Sequence, residues 1–287
     1  MRILCGLLLL ATAAPVTAQP TGLRQAIYTD PPHDRTQPAR SEVIHIPSGR
    51  VLINGLVYIA AGPGAHPTMV LMHGLPGNEK NLDLAQAVRR AGWNAVTFNY
   101  RGSWGSPGRF SFAGNLEDAR AVVAYVRDPV NARRLNIDTS KIVLAGHSMG
   151  GWVAVKTAEQ DAGIAGVALI SAVNLAEEPG DHRELVAHMA SDMESLAGVT
   201  PETMASEIES NRSSFDWTPD ASQLAHHPLL ILTANDRTQP MGDDLARRVS
   251  AIKGSRVAAA HVATDHSWSD ARIELEERVL EWLEQFQ

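Results

Sequence analysis

Cysteine is almost missing from this chain: one residue in 287, Cys5. No intramolecular disulfide can form, so stability must come from the core. Beyond position 5 a cysteine nucleophile is excluded as well. Positive charge is also in deficit, with 25 Lys and Arg against 32 Asp and Glu, a net charge of −7. An acidic chain with a pI near 5.9 is a poor partner for nucleic acid or an anionic membrane surface. The longest apolar stretch, Ile3 to Ala14, falls well short of the roughly 20 residues a spanning helix needs. There is no Walker loop, and no dinucleotide fingerprint follows the first strand of the sheet. His226 and His227 lack further residues at metal-ligand spacing. No cofactor and no metal are expected.

What is present begins with "MRILCGLLLLATAAPVTAQP", a charged start, an apolar middle and a small-residue "VTA" before Gln19. That order is a secretory signal peptide over residues 1–18, and predicts a soluble periplasmic or secreted protein. Its removal takes one arginine and no acid, so the charge of −7 becomes −8. Residues 19–40 are rich in proline and polar side chains and read as an extended arm. With 44% hydrophobic residues, the rest of the chain has ample material for a sizeable core.

From residue 41 the pattern is regular. "SEVIHIPS" and "RVLINGLVYIAAG" alternate apolar and polar residues about Gly49, which suggests a hairpin. "TMVLMHG", "NAVTFNYRG", "KIVLAGHS" and "IAGVALISAV" are short apolar runs, each separated from the next by a helical pattern. Apolar strands buried on both faces and alternating with helices indicate an α/β fold, a mostly parallel twisted sheet flanked by helices. Between residues 174 and 226 only helical patterns occur. The alternation resumes at "HPLLILTAND" and runs to the terminal "SDARIELEERVLEWLEQF". The interruption reads as a helical cap insertion in a catalytic domain of residues 41–287.

Within "VLAGHSMGGWVAV", Ser148 stands between Gly146 and Gly150 in a G-x-S-x-G pattern. Composition alone would produce that pattern roughly one time in ten in a chain of this length, so its context must decide. Ser148 follows a strand and opens a helix, the junction at which a nucleophile elbow forms. A serine hydroxyl needs a base, and the base an orienting acid. His266, between the last strand and the last helix, is the base expected from chain order. Asp236, ending the strand "LLILTAN", is the acid. Asp243 and Asp244 should fall in the first turn of the next helix, where an acid stabilises the helix end. The glycine-rich "HGLPG" after the first parallel strand would offer the N–H of Leu75 to an oxyanion, with the N–H of Met149 as the second donor. Arg101, Ser103 and Trp104 belong to a loop at the same sheet edge, with pocket wall and solvated loop as the two readings. Trp104 is a candidate substrate contact.

"HGLPG", "GHSMGG", "AND" and "DHSWSD", in that order, resemble the α/β-hydrolase family. "FNYRGSWGSPGRFSF" is similar to bacterial hydrolases near the prolyl oligopeptidase and acylaminoacyl peptidase group. The resemblance implies an α/β-hydrolase fold and serine hydrolase chemistry. From relatives with peptidase activity it implies Tyr100 as a side chain that helps hold the oxyanion. The expected activity is cleavage of a small-molecule carboxylic ester through an acyl-enzyme. The alternatives are a peptidase or amidase, and a binding module on an inactive scaffold.

Overall fold

The computed structural model describes residues 22–178 and 180–287; the leader and Cys5 lie outside them. Eight strands form one sheet in the order β1-β2-β4-β3-β5-β6-β7-β8. They are β1 (Arg40–Ser48), β2 (Val51–Ile59), β3 (His66–Met72), β4 (Asn94–Phe98), β5 (Ile137–His147), β6 (Gly166–Ile170), β7 (Pro228–Thr233) and β8 (Arg256–His261). The first two make the expected hairpin, paired antiparallel from Arg40↔Ile59 to Ser48↔Val51, with Gly49 at positive φ in the turn. β2 also meets β4 antiparallel, and every later pairing is parallel. The fold is therefore the mostly parallel α/β sheet anticipated from the alternation of apolar runs and helices.

The helices are α1 (Gln25–Tyr28), α2 (Leu82–Arg90), α3 (Phe112–Arg127), α4 (Pro129–Arg134), α5 (Met149–Ala158), α6 (His182–Ala190), α7 (Pro201–Phe215), α8 (Ala221–Leu224), α9 (Gln239–Ser250) and α10 (Arg272–Leu283). Two apolar cores lie on opposite faces of the sheet. One holds Phe112 and Val122 of α3, Trp152 of α5 and Leu245 of α9; the other holds Leu84 of α2 and Val279 of α10. Alternate residues of β7 serve the two cores, Leu229 and Ile231 one, Leu230 and Leu232 the other. This is the period-two geometry that makes a central strand apolar throughout.

Two local expectations are corrected. Residues 22–28 are helical rather than extended, because Leu23 and Ala26 find burial against the α2–α10 core. α9 starts at Gln239, so Asp243 and Asp244 lie beyond its first turn, and Asp244 pairs with Arg247 and Arg248 on the surface.

The chain leaves the sheet after β6 and returns at β7 through helical segments. α6 opens with a reciprocal cap between Asp181 and Glu184, and α7 with Thr200 and Pro201. Leu185, Met189, Met204, Ile208 and Phe215 join the core on the α5 side. Trp152 donates its indole N–H to the Phe215 carbonyl at 2.7 Å, fastening the segment to α5.

Candidate active site

Ser148 sits between the end of β5 and the first residue of α5 with φ +54° and ψ −123°, a conformation rarely adopted by a residue with a side chain. The turn is held by its N–H, which donates to the Ile170 carbonyl at 3.0 Å, and by its own carbonyl, which accepts from Gly151. The flanking glycines have a steric cause. A Cβ on Gly146 would overlap the Gly150 carbonyl, and one on Gly150 would overlap the Met72 carbonyl. Strand and helix thus approach more closely than any other residue permits.

The loop after β7 carries Asp236, and the loop after β8 carries His266. His266 Nδ1 lies 2.8 Å from Asp236 Oδ2. The other carboxylate oxygen, Oδ1, accepts from the N–H and hydroxyl of Thr238 at 2.8 and 2.7 Å and from Gln239 N–H at 3.0 Å. Burial would raise the carboxyl, but the bonds from His266 and Thr238 outweigh it and bring the pKa down to about 2. An ionised Asp236 accepts at Oδ2, so His266 Nδ1 carries the proton and Nε2 is the free base. Asp265 is turned to its own loop, accepting from Ser269 N–H at 2.8 Å.

Leu75, Ser148, Met149, Asp236 and His266 line one cavity of about 350 Å³. No hydrogen bond joins the Ser148 hydroxyl to the imidazole of His266; such contacts often form only when substrate is bound. Met149 opens α5, so its N–H has no partner within the helix. Among the described residues neither Met149 N–H nor Leu75 N–H donates to another protein group. Two free amides therefore border the cavity beside the serine, aided by the positive end of α5.

The structure places Tyr100 and Trp104 away from the lining of this cavity. Tyr100 is fully buried, edge-on to His73 and Phe98, and burial together with the nearby Asp118 raises its pKa well above the ordinary value. Trp104 instead braces the glycine-rich loop: its indole N–H donates to the Pro76 carbonyl at 2.6 Å, and Ser195 Oγ donates to the same oxygen at 3.2 Å. The Trp104 N–H donates in turn to the Ser195 carbonyl, so segment 195–197 is stitched to the loop after β4.

Several neighbours were not singled out from sequence. His147 packs against His266, ring centroids 4.8 Å apart. Burial pushes His147 down to about 4, and the adjacent His266 adds to the shift. Glu178, His188, Met189, Asp192 and Arg237 also line the cavity. Only Thr238 had a legible signal, a hydroxyl two residues after an aspartate, the pattern of an Asx turn. Glu178, His188, Met189 and Asp192 depend on how the segment between β6 and β7 packs.

A serine in a strained strand-to-helix elbow, a histidine held by an ionised aspartate and two free amides define the layout of a hydrolase built on a parallel α/β sheet. Residues 69–281 match the model of the alpha/beta hydrolase family, and the chain belongs to that family. Uncharacterized proteins of two Mycobacterium tuberculosis strains, CDC 1551 / Oshkosh and H37Rv, are each 29% identical over 124 residues, 43% of this chain. That match spans 42% of their own length. The fold is also that of a thermophilic carboxylesterase cloned from a metagenomic library (TM-score 0.64, 20% identity, 92% of this chain and 94% of that one). A Pyrobaculum calidifontis esterase is similar in fold, with a TM-score of 0.63 and 22% identity over 92% and 89% of the two chains. A Rhizomucor miehei esterase has a TM-score of 0.65 and 21% identity over 92% and 88%.

Proposed function

We propose that this protein is a serine hydrolase that cleaves carboxylic esters through an acyl-enzyme. Ser148 Oγ attacks the acyl carbon while His266 Nε2 accepts its proton. The carbonyl oxygen becomes negative and is held by the N–H groups of Leu75 and Met149. His266 then gives the proton to the leaving alcohol, and the acyl–Ser148 ester remains. Water enters, His266 takes its proton, and a second oxyanion collapses to free acid and regenerated serine. Asp236 keeps Nδ1 protonated and stabilises the imidazolium formed in each half-reaction. The observation that carries this reading is the 2.8 Å bond between His266 Nδ1 and Asp236 Oδ2 in a cavity shared with Ser148.

An organophosphonate probe tests it, with an expected adduct on Ser148 that is absent from Ser148→Ala. Turnover of aryl esters in that variant should fall on the order of 10⁴- to 10⁶-fold. Failure of the intact protein to label at neutral pH would overturn the reading. Cleavage of aminoacyl anilides with no ester activity would make the protein an amidase instead. The leader-like residues 1–18 support a further proposal, export with cleavage after Ala18. N-terminal sequencing of protein recovered outside the cytoplasm should begin at Gln19.

A further inference from the structure

Part of the lining that shares the cavity with Ser148 is charged, and its charges do not cancel. Glu178 is 4% exposed, and its Oε1 accepts from Arg237 Nη2 at 2.8 Å. Its other oxygen, Oε2, is buried and accepts no hydrogen bond; the nearest base is His188 Nε2 at 3.8 Å. Asp192 lines the same cavity, and among the described residues its carboxylate has no ion pair. Burial holds the Asp192 carboxyl above the usual carboxylate range, and Glu178 adds to that shift while His188, a hydrogen bond from Ser191 and Arg237 oppose it. Arg237 Nη2, already bonded to Glu178, is also 3.2 Å from His188 Nε2. Beyond Glu178, His188 and Arg237 a second opening of about 430 Å³ adds another acid, Glu184. Counting imidazole as neutral, this part of the Ser148 cavity presents two carboxylates, Glu178 and Asp192, to one guanidinium.

A buried carboxylate oxygen without a donor costs free energy that a bound cation or N–H donor recovers. We infer that the cavity recognises esters carrying an ammonium group several bonds from the scissile carbonyl, with Glu178 and Asp192 as the residues that receive it. Leu75, Val173, Leu175 and Met189 line the same cavity and suit an apolar linker between the two ends. A substrate with a carboxylate in that place would meet Asp192 and the second oxygen of Glu178 and be rejected, since Arg237 is engaged by Glu178. This rests on the esterase reading for what is cleaved, but the charge preference of the cavity can be measured without turnover.

Calorimetric titration of Ser148→Ala with pentylammonium, 1-pentanol and pentanoate isolates that preference. Pentylammonium should bind about tenfold more tightly than pentanol, more weakly as salt rises, with no binding of pentanoate. Asp192→Asn in the same background should remove most of the difference, whereas Asp243→Asn, an acid outside the cavity, should not. Equal binding of pentylammonium and pentanol overturns the inference, as does tighter binding of pentanoate. In the active protein, kcat/KM for methyl esters of ω-aminoalkanoates of three to six carbons should exceed that for methyl alkanoates of equal length. Hydrolysis of the neutral esters without that preference sinks the inference and leaves the esterase reading intact. Ammonium binding without hydrolysis of any ester does the reverse.

Discussion

His147 Nε2 lies 2.9 Å from the main-chain carbonyl oxygen of His266. A carbonyl only accepts, so this nitrogen is the protonated one and His147 is neutral, in keeping with its burial. The residue between Gly146 and Ser148 therefore fastens the loop that carries the proposed base. Replacing His147 by phenylalanine keeps the ring contact and loses the bond. We expect kcat to fall by about tenfold with KM little changed, because the bond positions the base rather than the substrate. An effect on KM alone would contradict this.

Two buried histidines should make the fold acid-sensitive. Burial pushes both His73 and His147 down to about 4 from the ordinary value of 6.5. Below 6.5 the unfolded chain takes up protons that the folded chain refuses, so stability drops as pH falls through the window from 6.5 to about 4. Each group contributes up to about 1.4 kcal/mol per pH unit within it. Urea unfolding at intervals between pH 7 and 4 measures the slope, and His147→Phe should remove about half of it.

Asp236 titrates in the opposite sense. Its folded pKa of about 2 lies below the ordinary 3.8, so its stabilisation is complete above about 3.8 and disappears as pH falls toward 2. The stability difference between the native protein and Asp236→Asn should hold from pH 7 to 5 and close between pH 4 and 2. Activity of that variant at neutral pH should fall by on the order of 10²- to 10⁴-fold, since asparagine no longer enforces the Nδ1–H tautomer.

Trp104→Phe tests the brace on the glycine-rich loop. Loss of the indole N–H leaves the Pro76 carbonyl with the longer Ser195 bond at 3.2 Å. The Leu75 amide should be held less firmly, so a boronic acid transition-state analogue should bind about tenfold more weakly. Binding of a ground-state competitor should be unchanged; equal loss of both would point to general distortion of the cavity.

Gly150→Ala should prevent folding or cost more than about 3 kcal/mol, because the added methyl would overlap the main-chain carbonyls of Met72 and His73. Circular dichroism and yield of soluble protein would report it. Normal stability of this variant would mean that strand and helix are farther apart than described.

Much of this protein is written locally. Apolar runs such as "KIVLAGH" and "PLLILT" need burial on both faces, and the intervening helical periods leave a parallel sheet as the way to provide it. The G-x-S-x-G pattern at a strand-to-helix junction singled out Ser148, and chain order with loop placement singled out Asp236 and His266, since the elbow and the loops after later strands occupy one edge of such a sheet. Tertiary structure decided what no local pattern encodes. Tyr100 lies in the core and not in the cavity because the loop after β4 turns its ring onto His73 and Phe98. Trp104 reaches Pro76, 28 residues earlier, and Ser195 reaches the same carbonyl from 119 residues later. Glu178 and Asp192, from the segment between β6 and β7, share one cavity with Arg237 and Ser148 only through tertiary packing. Sequence determines which segments must be buried and which junctions can hold a nucleophile. The side chains that face it are set by contacts between segments distant in the chain, which carry no periodic signature.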